Sequence, residues 1–414
     1  MDWPGFLRCS RRDWPAPSDF SNDDQTLLFR VDPAELPLPA DYYRFTLVGG
    51  GTAPAPDPVG ANINATDGAV EYQGEPVIEI SLNDPDLLVV AANDDDGRDI
   101  KILRSVNGGS TYSEIAFDSN LVFDPGNGFL NFDESRHAQV VFDRTDQVFV
   151  SYLARDDNGG ERAIAVGIST DGGATFESRA VETSDVVADN VLDDFPWIAV
   201  DNRIGSAGQG NLFTTWARQV YGFTEDPIED FPPTDSEILF KRSEDSGITW
   251  LGDSADIDGD GDTDEAIRVN DPVGFNGASN GVGNAVVASG VPVGPGLPSP
   301  VYVVWEDWGG NLGASDPVQF RFDRSFDGGE RFIGLDGSGS DIIIPGLVNV
   351  NGFSTGGNQF YGVTAQPGLL GSNNLDFRPG IAAKPVIAVD TSDGPFSGRI
   401  YLAYVDNQSV PFNQ

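Results

Sequence analysis

One octapeptide recurs four times along the chain and limits what it can fold into more than any other feature. It reads S-V-N-G-G-S-T-Y from Ser105, S-T-D-G-G-A-T-F from Ser169, S-E-D-S-G-I-T-W from Ser243 and S-F-D-G-G-E-R-F from Ser325. An Asx side chain can bond backbone amides across a tight turn, and Gly takes the positive φ such a turn needs. The aromatic at the eighth place then pins the turn to a core, so the unit reads as a hairpin between two strands. Three β-rich runs precede each copy. The run next to the turn is Ile100 to Leu103, Ile164 to Ile168, Ile238 to Phe240 and Val318 to Phe322. Before it come Leu87 to Ala92, Val148 to Leu153, Leu212 to Trp216 and Val301 to Trp305. A first strand is expected at Val77 to Ile80, Ala138 to Phe142, Trp197 to Val200 and Ala285 to Ala288.

Strand, strand, strand, turn, strand, repeated around the chain, is the blade of an all-β propeller of four-stranded antiparallel blades, which limits exposed sheet edges by radial repetition. The octapeptides start 64, 74 and 82 residues apart, more than the roughly 40–50 residues of a compact blade. Insertions are therefore expected, at Asp253 to Asp271, Gly290 to Pro300 and Leu335 to Asn374. Part of a fifth blade follows, at Lys384 to Asp390 and Arg399 to Asp406, with no turn motif after it. The propeller is assigned to 71–414, apparently truncated at its C-terminus.

The octapeptide matches S-x-D-x-G-x-T-W, and over residues 76 to 407 the chain resembles the Asp-box (BNR-repeat) sialidase-like β-propeller family. Asn107 stands for Asp in the first copy and Arg331 for Thr in the fourth, so those two turns are expected to be looser. The resemblance implies that the boxes are structural turns remote from chemistry. Residues 1–70 carry no box. Their patch Asp41 to Leu47 resembles the end of a pre-peptidase C-terminal type β domain; alternatively, Thr26 to Val31 and Tyr42 to Val48 are strands that close the ring.

Composition narrows the function classes. Against 24 Lys and Arg stand 65 Asp and Glu, a formal net charge of −41, which makes nucleic acid and anionic membranes poor partners. One Cys and one His rule out an intrachain disulfide, a thiolate metal cluster and any site needing two imidazoles. No apolar run approaches a membrane span, and Met1 to Cys9 has none of secretory-signal length. Either the chain is intracellular or its true start is missing; the acidity suits a salt-rich or calcium-rich exterior, so an extracellular or cell-surface protein is expected.

Asp256, Asp258, Asp260, Asp262 and Asp264, with Gly259 and Gly261, follow the alternating carboxylate pattern of a Ca²⁺ loop. Ile267 stands where a bidentate Glu would close it, so a weak structural Ca²⁺ site is expected; a solvated acidic loop has the same composition. Asp94 to Asp96 and Asp193-Asp194 are lesser candidates for ions.

By resemblance, sialidase chemistry implies an arginine clamp on a substrate carboxylate, a Tyr–Glu nucleophile pair and an acid/base Asp. The family's Phe/Tyr-Arg-Ile-Pro motif is absent. Arg98, Arg136, Arg155, Arg218 and Arg378 fall near strand ends and are candidates to bind a ligand, as are Glu306, Asp307 and Trp308. Trp216 and Trp305 read as core. His137, beside Glu134 and Arg136, reads as a structural hydrogen-bonding residue. The expected function is a secreted or cell-surface module binding glycans or extracellular proteins without catalysis, the alternative being an exo-acting glycoside hydrolase of the sialidase type.

Overall fold

The computed structural model describes residues 29–30, 46–47, 74–94, 99–156, 160–185, 191–220, 235–252, 266–270, 282–307, 319–333, 341–344 and 385–403. Everything regular among them is β. Strands β1 (Phe29–Arg30) and β2 (Thr46–Leu47) pair with each other. Blade 1 is β3 (Gly74–Ile80), β4 (Leu87–Asn93), β5 (Ile100–Val106) and β6 (Ser113–Ile115). A hairpin, β7 (Leu121–Asp124) and β8 (Gly128–Asn131), precedes blade 2: β9 (Glu134–Phe142), β10 (Val148–Arg155), β11 (Glu161–Ser169) and β12 (Glu177–Asp185). Blade 3 is β13 (Val191–Val200), β14 (Leu212–Val220), β15 (Asp235–Ser243) and β16 (Ile267–Arg268). Blade 4 is β17 (Val282–Ser289), β18 (Val301–Asp307), β19 (Gln319–Ser325) and β20 (Ile342–Ile343), and β21 (Val386–Val389) with β22 (Ile400–Ala403) begin a fifth. Each blade is an antiparallel meander in chain order, giving a propeller.

The core lies between blades, which explains why the middle strands read as continuous apolar runs rather than as alternating ones. On β10, Val148, Val150, Tyr152 and Ala154 pack toward Val89, Ala91 and Ile102 of blade 1, while Phe149 and Leu153 pack toward Ile198, Leu212 and Trp216 of blade 3. The next seam joins Phe213 and Phe240 to Val287, Val303 and Trp305, and the last joins Val304, Phe320 and Phe322 to Ile387 and Leu402. Trp216 and Trp305 are wholly enclosed, as expected. Burying a large apolar side chain of this kind contributes about 1.5–3 kcal/mol.

The four octapeptides form one turn each, between the third and fourth strands of successive blades. In the second, Ser169 Oγ donates to Asp171 Oδ1 (2.8 Å) and accepts from Gly173 N–H (2.8 Å), and Asp171 accepts from the Thr175 amide (2.9 Å) and hydroxyl (2.7 Å). The Thr175 bonds hold the Asp171 carboxyl down at about 2. In the first turn Asn107 still accepts from Thr111 N–H (2.9 Å). In the fourth Arg331 N–H still reaches Asp327 (3.0 Å), and only the side-chain bond lengthens, to 3.4 Å. The substitutions relax one contact and leave the turns intact. Ser246 takes φ 60° where the other copies have Gly.

Two expected insertions need correction. The stretch Asp253 to Asp271 contains β16, and Leu335 to Asn374 contains β20. Both are two-residue strands, too short to show a period of two.

Candidate functional site

A break in the ladder recurs in the innermost strand of each of blades 1 to 4. Register slips between Gly74 and Val77 in β3, between Arg136 and Gln139 in β9, between Asp194 and Trp197 in β13 and between Gly283 and Val286 in β17, taking in each case the inner-strand residues. At each slip one residue that is not Gly has a left-handed backbone: Glu75 (φ 49°), His137 (φ 60°), Phe195 (φ 54°) and Asn284 (φ 49°). Such a residue costs about 1–3 kcal/mol, and bulges re-aim side chains next to functional sites. All four lie toward the start of the inner strand, on the face opposite the octapeptide turns. We call this face the axial mouth.

The bulges bring residues from three blades together. His137 Nδ1 lies 2.6 Å from Glu75 Oε2, its Nε2 lies 3.3 Å from Asp194 Oδ1, and its ring packs on Phe195 at 4.2 Å between centroids. The His137 amide donates to Asn93 Oδ1 (3.0 Å), and Asn93 Nδ2 donates on to Glu75 Oε2 (3.3 Å). A neutral imidazole has one N–H and serves one carboxylate, whereas an imidazolium serves both. Asp194 Oδ1 also accepts from Phe195 N–H (2.8 Å), and Asp194 Oδ2 has no hydrogen-bond partner among the described residues. In blade 4, Asn284 Nδ2 donates to Glu306 Oε2 (2.9 Å), and Asn284 Oδ1 is buried with no partner among the described residues.

Arginines surround this group, and most are engaged by the protein's own carboxylates. Arg136 and Arg155 both grip Glu134, the latter at 2.6 and 2.7 Å. Arg218 takes Asp193 with two bonds, 2.8 and 2.9 Å, and reaches Glu182 at 3.3 Å. Burial works against the Arg218 charge, but Asp193 and Glu182 outweigh it and raise its pKa. Asp193 also accepts from Trp216 Nε1 at 3.0 Å. Arg162 donates to the Asp193 carbonyl (3.1 Å); burial lowers its pKa, with Asp194 pulling the other way. Bidentate guanidinium–carboxylate pairs of this kind are the strong form of the interaction.

Of the residues singled out from sequence, Arg136, Arg155 and Arg218 therefore gather at the mouth, turned to internal carboxylates. Glu306 and Asp307 are buried within blade 4, where Asp307 accepts from Arg321. His137 makes hydrogen bonds as expected, but at the centre of the mouth. Glu75, Asn93, Phe195 and Asn284 carried no motif and were missed. Arg98, Trp308, Arg378 and the acidic run Asp256, Asp258, Asp260, Asp262 and Asp264 lie outside the described residues. Among the described residues no group of three His, Cys, Asp or Glu side chains has the geometry to hold a metal.

The chain is a β-propeller. No protein-family model matches its sequence, and no curated protein does. Among solved structures it is similar to the α-L-arabinofuranosidase Arb93A from Fusarium graminearum, at 13% identity and TM-score 0.45, covering 80% of this chain and 74% of that one. It is also similar to an α-L-arabinanase from Penicillium chrysogenum (14%, TM-score 0.39, 66% and 69%) and to the Hadza microbial sialidase Hz136 (16%, TM-score 0.32, 60% and 45%). Likeness at this level says nothing about which residues act.

Proposed function

We propose that this propeller binds a neutral glycan at its axial mouth. The observation that carries the reading is the fourfold bulge. A strained, non-Gly residue at the same place in four inner strands is a costly arrangement, and it brings acceptors, an amide and two packed rings to one place. Sugar hydroxyls suit carboxylate and amide partners, and Asp194 Oδ2 and Asn284 Oδ1 are acceptors with no hydrogen-bond partner among the described residues. An anionic sugar fits worse, because the arginines are taken up by Glu134 and Asp193 and the chain carries a charge of −41. The reading places the protein outside the cell, where free glycans are met.

Calorimetric titration with a panel of neutral oligosaccharides tests it. Binding by the wild type, weakened about tenfold or more in Asp194→Asn, is expected, one lost hydrogen bond to a charged group being worth about 1.5–3 kcal/mol. No binding at millimolar concentration, or binding indifferent to Asp194→Asn and to Asn284→Ala, overturns it. Fluorogenic glycosides run in parallel decide the hydrolytic alternative: turnover abolished by Asp194→Asn replaces binding with glycoside hydrolysis at the same mouth. Sialosides are expected to release nothing.

A further inference from the structure

Blade 2 carries something the other described blades lack. The hairpin β7–β8 adds two strands beyond its fourth, making a six-stranded sheet in the order β8, β7, β12, β11, β10, β9. β7 runs parallel to β12, with Phe123 opposite Arg179. Between hairpin and blade lies a cleft of about 370 Å³ whose walls include Asp118, Phe123, Phe129, Phe176, Glu177 and Arg179. That is the size of a small-ligand site.

The walls are chemically mixed. Phe129 is 70% exposed and meets Phe123 edge-on at 5.2 Å between centroids, so an apolar ring stands open to solvent. Arg179 lies over the Phe123 ring, 5.3 Å from its centroid. Its nearest carboxylate, Glu177, is 3.9 Å away, beyond hydrogen-bond distance, and its side chain is only 26% exposed. The five N–H donors of this solvent-reachable guanidinium have no hydrogen-bond acceptor among the described residues.

Elimination identifies the class of ligand. A purely apolar ligand would strip water from Arg179, Glu177 and Asp118 without replacing it, which is costly. An anion would meet Asp118, Glu177 and the field of a strongly acidic protein, and a cation would meet the Arg179 charge, which already lies over the Phe123 face. A neutral ring bearing hydroxyls satisfies all the walls at once: its C–H face on Phe129, its hydroxyls accepting from Arg179 and donating to Asp118 and Glu177. We propose that this cleft is a second carbohydrate-binding site, for one or two sugar units, on the outer edge of blade 2 and separate from the axial mouth.

The test uses the whole chain with the panel of neutral oligosaccharides immobilised, followed by calorimetry on any that is retained. Phe129→Ala removes an exposed ring outside the core, and Arg179→Gln removes the donors. Each is expected to weaken a retained oligosaccharide about tenfold with an unchanged melting temperature, roughly the worth of one good aromatic contact. Asp194→Asn is expected to leave that component of binding in place. Retention lost in Asp194→Asn and untouched by both cleft variants overturns the second site and leaves the first standing. Retention lost in the cleft variants alone does the reverse. Binding of no neutral oligosaccharide, or selective uptake of a basic peptide blocked by Phe129→Ala, also overturns the proposal.

Discussion

Gly173→Ala should loosen the seam between blades 1 and 2. Gly173 has φ 82°, and a Cβ there would stand 2.7 Å from Val89 Cγ2 and 3.6 Å from Val148 Cγ2. Val89 is fully buried on β4, and its branched side chain has no free end to swing away. The left-handed backbone alone costs a residue with a Cβ about 1–2 kcal/mol. Forcing a methyl into a close-packed seam adds about 1–3 kcal/mol, so a total of roughly 2–5 kcal/mol is expected. Gly128→Ala is the matched control, because it has φ 85° and nothing within 4 Å of the added Cβ. It should lose only the backbone share. The assay is equilibrium denaturant unfolding, with fluorescence and circular dichroism required to give coincident transitions. Adding Val89→Ala to Gly173→Ala should return the packing share as a coupling energy of about 1–3 kcal/mol. If Gly173→Ala costs no more than Gly128→Ala, or the coupling is nil, the seam is not packed as described.

Thr175→Ala should raise the Asp171 carboxyl from about 2 toward the ordinary carboxylate range, because the Thr175 hydroxyl and amide bonds are the leading causes of the depression. Since the folded value is the lower one, the turn's contribution is present above the ordinary range and is lost as pH falls toward about 2. A carbon-detected NMR titration reads it, and an unmoved Asp171 would refute the account. The acidic run from Asp256 to Asp264 is expected to take up Ca²⁺ at millimolar concentration; titration without heat, and protease cleavage there unchanged by chelator, would speak against it.

The propeller could be read from sequence because its turns are chemically demanding: an Asx, a Gly and an aromatic at fixed offsets leave a mark in any sequence. The middle strands were equally plain as apolar runs. The mouth was hidden by the feature that builds it. Every expected inner strand begins just after its bulge, at Val77, Ala138, Trp197 and Ala285, whereas the strands begin earlier, at Gly74, Glu134, Val191 and Val282. The extra residue at Glu75, His137, Phe195 or Asn284 shifts the alternation by one, so a period of two stops there. The β7–β8 hairpin went unread for a different reason: its strands are four residues each, the shortest length at which an alternation can be read.

The octapeptide turns also give the ring a direction. Each turn after the first rests on the blade before it in the chain: Gly172 and Gly173 against Leu87, Val89 and Arg104, Gly247 against Ile168, Gly329 against Phe240. Arg104 Nε donates to the Gly172 carbonyl at 2.6 Å, and Arg242 repeats the gesture toward Gly329 at 3.5 Å. A chain emerging from the ribosome N-terminus first therefore presents each new turn to a surface that already exists. Assembly can proceed as a relay in synthesis order, each blade serving as the template on which its successor closes.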